Sequence, residues 1–234
     1  MIAAQTDATL ALVRHGQTTW VAEGRFQGSA DPPLSELGQQ QAAAVARRLA
    51  GRHVAPALPL PPGPPQGIWH SPLTRAASTA SAIWTARGED VPLVAEPGLV
   101  ELAQGDWEGL TQAEVLQRWP DELAAWRADP MHHHAPGGEA LADATRRAAV
   151  VLRRILGDLG SGLRETWTGD TSGRSPVLGY VDITTGGPGD PVEPVHEPWG
   201  LVVAHDGILR LVLMDLLGLS LDHYWSMPLS LIHI

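Results

Sequence analysis

Four side chains able to handle phosphate stand where apolar runs end. Arg14 and His15 close the run in "ATLALVRHGQTTWV", His205 closes "WGLVVAH", and Arg75 falls in the first helical turn after "GIWHSPLTR". The two arginines present planar, permanently charged forks that match phosphate oxygens, so phosphate is the natural ligand. A histidine, with an unperturbed pKa near ~6.5, is partly neutral at physiological pH. One ring nitrogen can attack phosphorus while a hydrogen bond holds the other, which would give a phosphohistidine. Such a reaction also needs a group that protonates the leaving oxygen and later deprotonates water. Glu101 in "PGLVELAQGDWEGLT" suits this best, because it follows an apolar stretch where partial burial would raise its pKa. Asp106 and Glu108 have a similar claim, and spacing alone does not separate the three.

The elements that must position these groups follow from periodicity. Leu10 to Val13 reads as a strand buried on both faces. Ser35 opens a helix with Ala42, Val45, Ala46 and Leu49 on one face, closed by Gly51. After the Pro-rich loop "HVAPALPLPPGPPQ", a short strand runs through His70, with Ser71 as N-cap and Pro72 at the first position of an Ala-rich helix. Val91 to Ala95 is a third strand. Glu139 to Gly160 is a long helix whose Arg146, Arg147, Arg153 and Arg154 are read as solvated. The last clear strand ends at Ala204, followed by a polar turn over His205 to Gly207 and another helix. Gly16 is expected to let the backbone turn close to a ligand. Strands alternating with helices predict a three-layer α/β/α fold with a mostly parallel central sheet and its chemistry at the carboxyl ends of the strands.

Composition bounds the rest. With 234 residues, the chain is expected to form one domain over 1–234, interrupted by a Gly/Pro-rich insertion at about Ser161 to Pro198 in which "PVLGYVDITT" could supply a strand. A formal charge of −10 argues against nucleic acid or an anionic membrane as partner. The absence of cysteine excludes disulfides and thiolate metal sites. "MIAAQTDATLALV" has no basic n-region and only a short apolar run, so a cytoplasmic protein with no membrane span is expected. Three consecutive histidines, His132 to His134, diverge in an extended segment and are read as a polar loop near the substrate mouth, not a metal site.

Taken in order, "LVRHGQT", "GRFQGSADPPLSELG", "HSPLTRAASTA", "LVELAQGDWEGLT", "PGGEALADATRR" and "VVAHDGILR" resemble the successive blocks of the histidine phosphatase superfamily, also called the phosphoglycerate mutase-like family. The resemblance implies that His15 is the nucleophile and that Arg14, Arg75 and His205, the last as a cation, form the phosphate pocket. It implies Glu101 as proton donor and acceptor, ahead of Asp106 and Glu108, and Gln27 as a phosphate or substrate contact. No metal or other cofactor is implied, and the partner is a small phosphorylated substrate. "ELAQGDWEGL" is more like the phosphatase branch than the mutases, which usually add basic residues here to grip a second acidic group. Phosphomonoester hydrolysis is therefore favoured. A phosphoglycerate mutase and a non-catalytic binding module on the same scaffold are the alternatives.

Three features depart from the family pattern. Val21 follows Trp20 where relatives often have Asn, so a polar contact is expected from Gln17, Thr18 or Gln27 instead. The insertion is longer than usual. At the end, Leu229 to Ile234 reads "LSLIHI", which is also the in-frame translation of the transposase sequencing adapter CTGTCTCTTATACACATC. We expect the native chain to run on past a truncated end, an expectation that a stop codon directly after Ile234 in resequenced genomic DNA would refute.

Overall fold

The computed structural model describes residues 8–51, 55–88, 90–160 and 198–226. The insertion, its strand candidate and the tail from 227 onward lie outside these residues. Four strands, β1 (Thr9–Arg14), β2 (Ile68–His70), β3 (Leu93–Ala95) and β4 (Trp199–Ala204), form an all-parallel sheet in the order β1-β4-β2-β3. Among them lie α1 (Thr19–Ala22), α2 (Glu36–Ala50), α3 (Thr74–Arg87), α4 (Gln112–Arg118), α5 (Pro120–Ala128) and α6 (Leu141–Asp158), and α7 (Asp206–Leu217) follows β4.

Period-two alternation explains the layers. On one face of the sheet Ala11, Val13, Ile68, Leu201 and Val203 pack against Val45, Ala46 and Leu49 of α2 and Ala80 and Ile83 of α3. On the other, Trp69, Val202 and Ala204 meet α6 and α7 through Leu152, Ile155, Ile208 and Leu211. Each fully buried Leu or Ile contributes about 1.5–3 kcal/mol, which makes these two clusters the main source of stability. A third cluster of Trp107, Val115, Leu123 and Ala135, with Phe26 and Trp126 against it, joins α4 and α5 to the preceding loop. No helix among the described residues is long and apolar enough to cross a membrane.

Several expected boundaries are corrected. β4 and the shorter β2 are buried along their whole length; β1 lies at the edge of the described sheet, and its Leu10 and Leu12 are only half-buried. The third strand begins at Leu93, not Val91. α3 begins at Thr74 after a Leu73 cap whose side chain has no polar group; Ser71 Oγ accepts from Leu73 N at 3.3 Å, ahead of the helix, and from His205 Nε2 at 2.7 Å. Asp31 supplies what the cap lacks, accepting from the Thr74 N–H at 2.8 Å and its hydroxyl at 2.7 Å. The polar turn at 205–207 does not exist as such: His205 is the extended N-cap and the helix begins at Asp206.

Candidate active site

Strand register assembles the site. β1 pairs with β4 so that Arg14 lies beside Ala204, and the His15 N–H donates to the Ala204 carbonyl at 3.1 Å. His15 and His205, far apart in sequence, thus face each other with ring centroids 5.0 Å apart at 61°. From β2, the Ser71 N–H donates to the Val203 carbonyl at 3.0 Å, which brings the start of α3 to the same rim.

His15 is almost wholly buried, and its Nδ1 lies 2.6 Å from the Gly16 carbonyl oxygen. A carbonyl can only accept, so Nδ1 carries the proton and Nε2 keeps its lone pair. Burial is the main reason the ring's pKa falls to about 3; Arg75 and Arg14 add to it, and the Gly16 bond opposes it. The imidazole is therefore neutral across the physiological range, the form in which a ring nitrogen can act as a nucleophile.

Arg75 is fully buried, donating from Nη1 to Ala30 O at 2.6 Å, from Nη2 to Gly28 O at 2.9 Å and from Nε to His205 Nδ1 at 3.2 Å. His205 must accept that proton at Nδ1, and its Nε2–H then donates to Ser71 Oγ at 2.7 Å. This corrects the expected cation: in the ligand-free pocket His205 is neutral. Burial first, then His15 and Arg75, hold its pKa well below the ordinary value. Arg14 completes the set half-buried, with Nη1 at 3.3 Å from Asp206 Oδ1.

The three acids of the Glu101 block part company. Glu101 turns its carboxyl inward, where Oε2 accepts from Gly207 N at 3.0 Å and Oε1 accepts from Ile208 N at 3.1 Å and Leu102 N at 3.0 Å. Burial raises its pKa; the Gly207 and Leu102 amides pull the other way. Asp106 is exposed. Glu108 accepts from Ser29 N, Ser29 Oγ, Ala30 N and Gln104 N at 2.8 to 3.0 Å, clamping the loop that holds Arg75.

Thr18 and Gln27 form one unit. The buried Thr18 hydroxyl donates to Gln27 Oε1 at 2.5 Å and accepts from Val21 N at 3.1 Å, which leaves the Gln27 amide N–H groups as the donors directed elsewhere. Gln17 turns away, its Oε1 accepting from Ser35 Oγ at 2.9 Å. A cavity of about 230 Å³ opens beside Glu101, lined by Gln27, Glu101, Asp206 and Gly207 together with Phe26, Trp126, Tyr224 and Trp225; His15 and His205 are not among its lining residues. None of His132 to His134 lines it; exposed His132 pairs with Asp129 at 2.8 Å, and His134 Nδ1 meets Ala135 O at 2.9 Å. No group of three or more metal-ligating side chains converges among the described residues.

Two further residues bear on the site. Arg147, expected to be solvated, donates to the carbonyls of Gly98 (2.8 Å) and Val100 (2.6 Å) and grips both oxygens of Glu139. Seven positions on, Arg154 pairs with buried Glu96, so one face of α6 holds the segment that leads into Glu101. A charge rhythm on an amphipathic helix carries no sign of this. Asp206 joins Arg14 to Arg210, whose Nη2 lies 3.0 Å from Oδ2. Gly16 is also reassigned: a Cβ there would sit 2.4 Å from Gly38 O, so the glycine admits α2 and not a ligand.

Comparison with known proteins agrees with this arrangement. The chain is 32% identical over 216 residues to a glucosyl-3-phosphoglycerate phosphatase of Mycolicibacterium vanbaalenii, covering 92% of this chain and 76% of the relative. It is 28% identical over 217 residues to phosphoserine phosphatase 1 of Hydrogenobacter thermophilus, covering 93% and 80%. Among solved structures, a mycobacterial glucosyl-3-phosphoglycerate phosphatase in complex with VO3 superposes with a TM-score of 0.67 at 27% identity, covering 94% of this chain and 85% of that one. The sequence profile of the histidine phosphatase superfamily (branch 1) matches residues 10–162, the stretch that carries Arg14, His15, Arg75 and Glu101. With that profile running from the first strand to the end of α6, this chain belongs to the histidine phosphatase superfamily.

Proposed function

We propose that the protein hydrolyses a small phosphorylated metabolite through a phosphohistidine on His15, without a metal. The observation that carries this reading is the His15 ring: Nδ1–H is held by the Gly16 carbonyl and Nε2 is left as a lone pair beside Arg14, Arg75 and His205. Nε2 forms a bond to phosphorus as the bond to the ester oxygen breaks, and protonated Glu101 gives its proton to the departing alkoxide. Water then attacks phosphorus, loses a proton to Glu101 and breaks the N–P bond, which releases inorganic phosphate. Arg14 and Arg75 match the equatorial oxygens throughout, and a dianion arriving between the rings favours protonation of His205. Gln27 N–H donors, fixed in orientation by Thr18, supply the polar contact that Val21 does not.

Glu101 suits the acid role because its enclosed site keeps it protonated to higher pH than an ordinary carboxyl. Two relatives that cover nine-tenths of the chain carry phosphatase names, which supports water as the acceptor. The test is phosphate release from a panel of metabolites with EDTA present. Wild type is expected to turn over and His15→Ala to lose roughly 10³-fold or more. An acid-labile phosphoenzyme should accumulate after rapid quenching of wild type only. Release that survives the substitution would overturn the mechanism; dependence on a bisphosphoglycerate primer, with no net hydrolysis, would make the protein a mutase.

A further inference from the structure

The cavity beside Glu101 is where the alcohol of a substrate must sit, and its lining has a chemical character of its own. Its apolar lining is Phe26, Trp126, Trp225 and Tyr224, with Trp126 to Trp225 and Trp225 to Tyr224 in edge contact at 4.8 Å, and fully buried Trp107 backs it at 5.4 Å from Phe26 and 5.6 Å from Trp126. Such a lining is stiff, and indole faces suit a flat apolar surface. At about 230 Å³ the space among the described residues is enough for one substituted ring.

Charge narrows the choice. Arg25 is the one cation among the described lining residues, and it is already engaged: Nε lies 2.6 Å from Glu23, Nη1 donates to Gly109 O at 2.8 Å, and Glu114 lies 3.6 Å away. Asp206 and Glu101 are the lining carboxylates. A substrate with a second anionic group would meet Asp206 and a cation already matched by Glu23 and Glu114, and desolvating that group would go uncompensated. The remaining polar lining is neutral, chiefly the amides of Gln27 and Gln104.

We propose that the leaving group selected here is an uncharged alcohol bearing a single six-membered ring, packed on Trp126 and Trp225 with its polar substituents toward the two glutamines. This rests on the phosphatase reading above. What separates this leaving group from the named relatives' substrates is the absence of a charged group such as their glycerate and serine moieties carry. The ring can be a sugar, offering a C–H face, or an aryl group; both use the same wall.

Four esters of primary alcohols test it at matched leaving-group chemistry: glucose 6-phosphate, benzyl phosphate, glycerol 3-phosphate and 3-phosphoglycerate. At least one ring ester is expected to exceed glycerol 3-phosphate by roughly tenfold in kcat/KM, with 3-phosphoglycerate lowest; which ring ester leads tells sugar from aryl. Trp126→Ala and the more exposed Trp225→Ala should each lower kcat/KM for the ring esters more than for glycerol 3-phosphate and so erase most of the ring advantage. Glu23→Gln, which releases part of Arg25, should raise kcat/KM for 3-phosphoglycerate. If every ester is inert, the phosphatase reading itself fails. If esters are hydrolysed but 3-phosphoglycerate matches the ring esters, or both tryptophan variants slow all four equally, the ring proposal alone is overturned.

Discussion

Burial in the fold biases both Glu101 and His15 toward their uncharged forms. For Glu101 the folded pKa is raised above the ordinary 4.5. Over that window the folded state binds more protons than the unfolded one, so stability falls as pH rises through it. Glu101→Gln should therefore slow hydrolysis of alkyl esters by about 10²–10⁴-fold. It should also raise stability at pH 7, on the order of 1 kcal/mol, a gain that disappears below pH 4.5 in thermal melts. His15 runs the opposite way. Its folded pKa of about 3 lies below the ordinary 6.5, so its contribution is complete above 6.5 and is lost as pH falls toward 3. His15→Asn should flatten the acid side of the urea-stability profile between those values. A profile that keeps its acid slope in the variant would assign that slope to His205 or to other groups. Residue types alone pointed to the arginine and histidine set, yet Glu101, Asp106 and Glu108 were inseparable without the family resemblance. What distinguishes them is which carboxyl the loop turns inward, and that depends on amides supplied by α7, more than a hundred positions away.

Helix α6 acts on the site through backbone carbonyls. Arg147 ties Gly98 and Val100, and Gly98 lies so close that an added Cβ would stand 2.4 Å from Val151 Cγ2. Arg147→Met should thus lower kcat about tenfold with little change in KM and shift the alkaline limb of the kcat profile, because Glu101 is displaced and phosphate contacts are not. Lys is not expected to rescue it, since a point charge cannot span four acceptors. A variant that loses fold, activity and pH limb together would make Arg147 merely structural. At the other rim, a Cβ on Gly38 would stand 1.8 Å from Gln17 O, and Gly38→Ala is expected to cost about 3 kcal/mol or more by urea denaturation. The buried faces of α2 and α6 were readable because burial imposes a period of 3.6 on apolar residues. The starts of α3 and α7 were not, for a shared reason: Ser71 and His205, which local rules assign to a cap and a turn, bond each other across the site. Arg147 escaped notice because a helix periodicity cannot tell water from a loop carbonyl.

The sheet as a whole was readable in class, four parallel strands with chemistry at their carboxyl ends, but its order was not. β1 read as the strand buried on both faces; the long strand that is so buried is β4, because it lies between β1 and β2 and its side chains meet helices on both faces. Inorganic phosphate, binding the folded pocket and not the unfolded chain, should stabilise by about 2.7 kcal/mol at a hundred times its Kd, seen as a concentration-dependent Tm. The same ligand should leave the Tm of Arg75→Met nearly unmoved. The β1–β4 pairing has one more consequence. Arg14 and Asp206 meet although 192 positions separate them, and His15 finds His205 only when that long-range pairing has formed. A growing chain thus exposes His15 early but lacks the pocket around it until β4 is in place, and contacts of such high sequence separation form late. On the proposed mechanism a half-made protein cannot strip phosphate from the metabolites around it. Hydrolytic competence then becomes a signal that synthesis and folding have both passed β4.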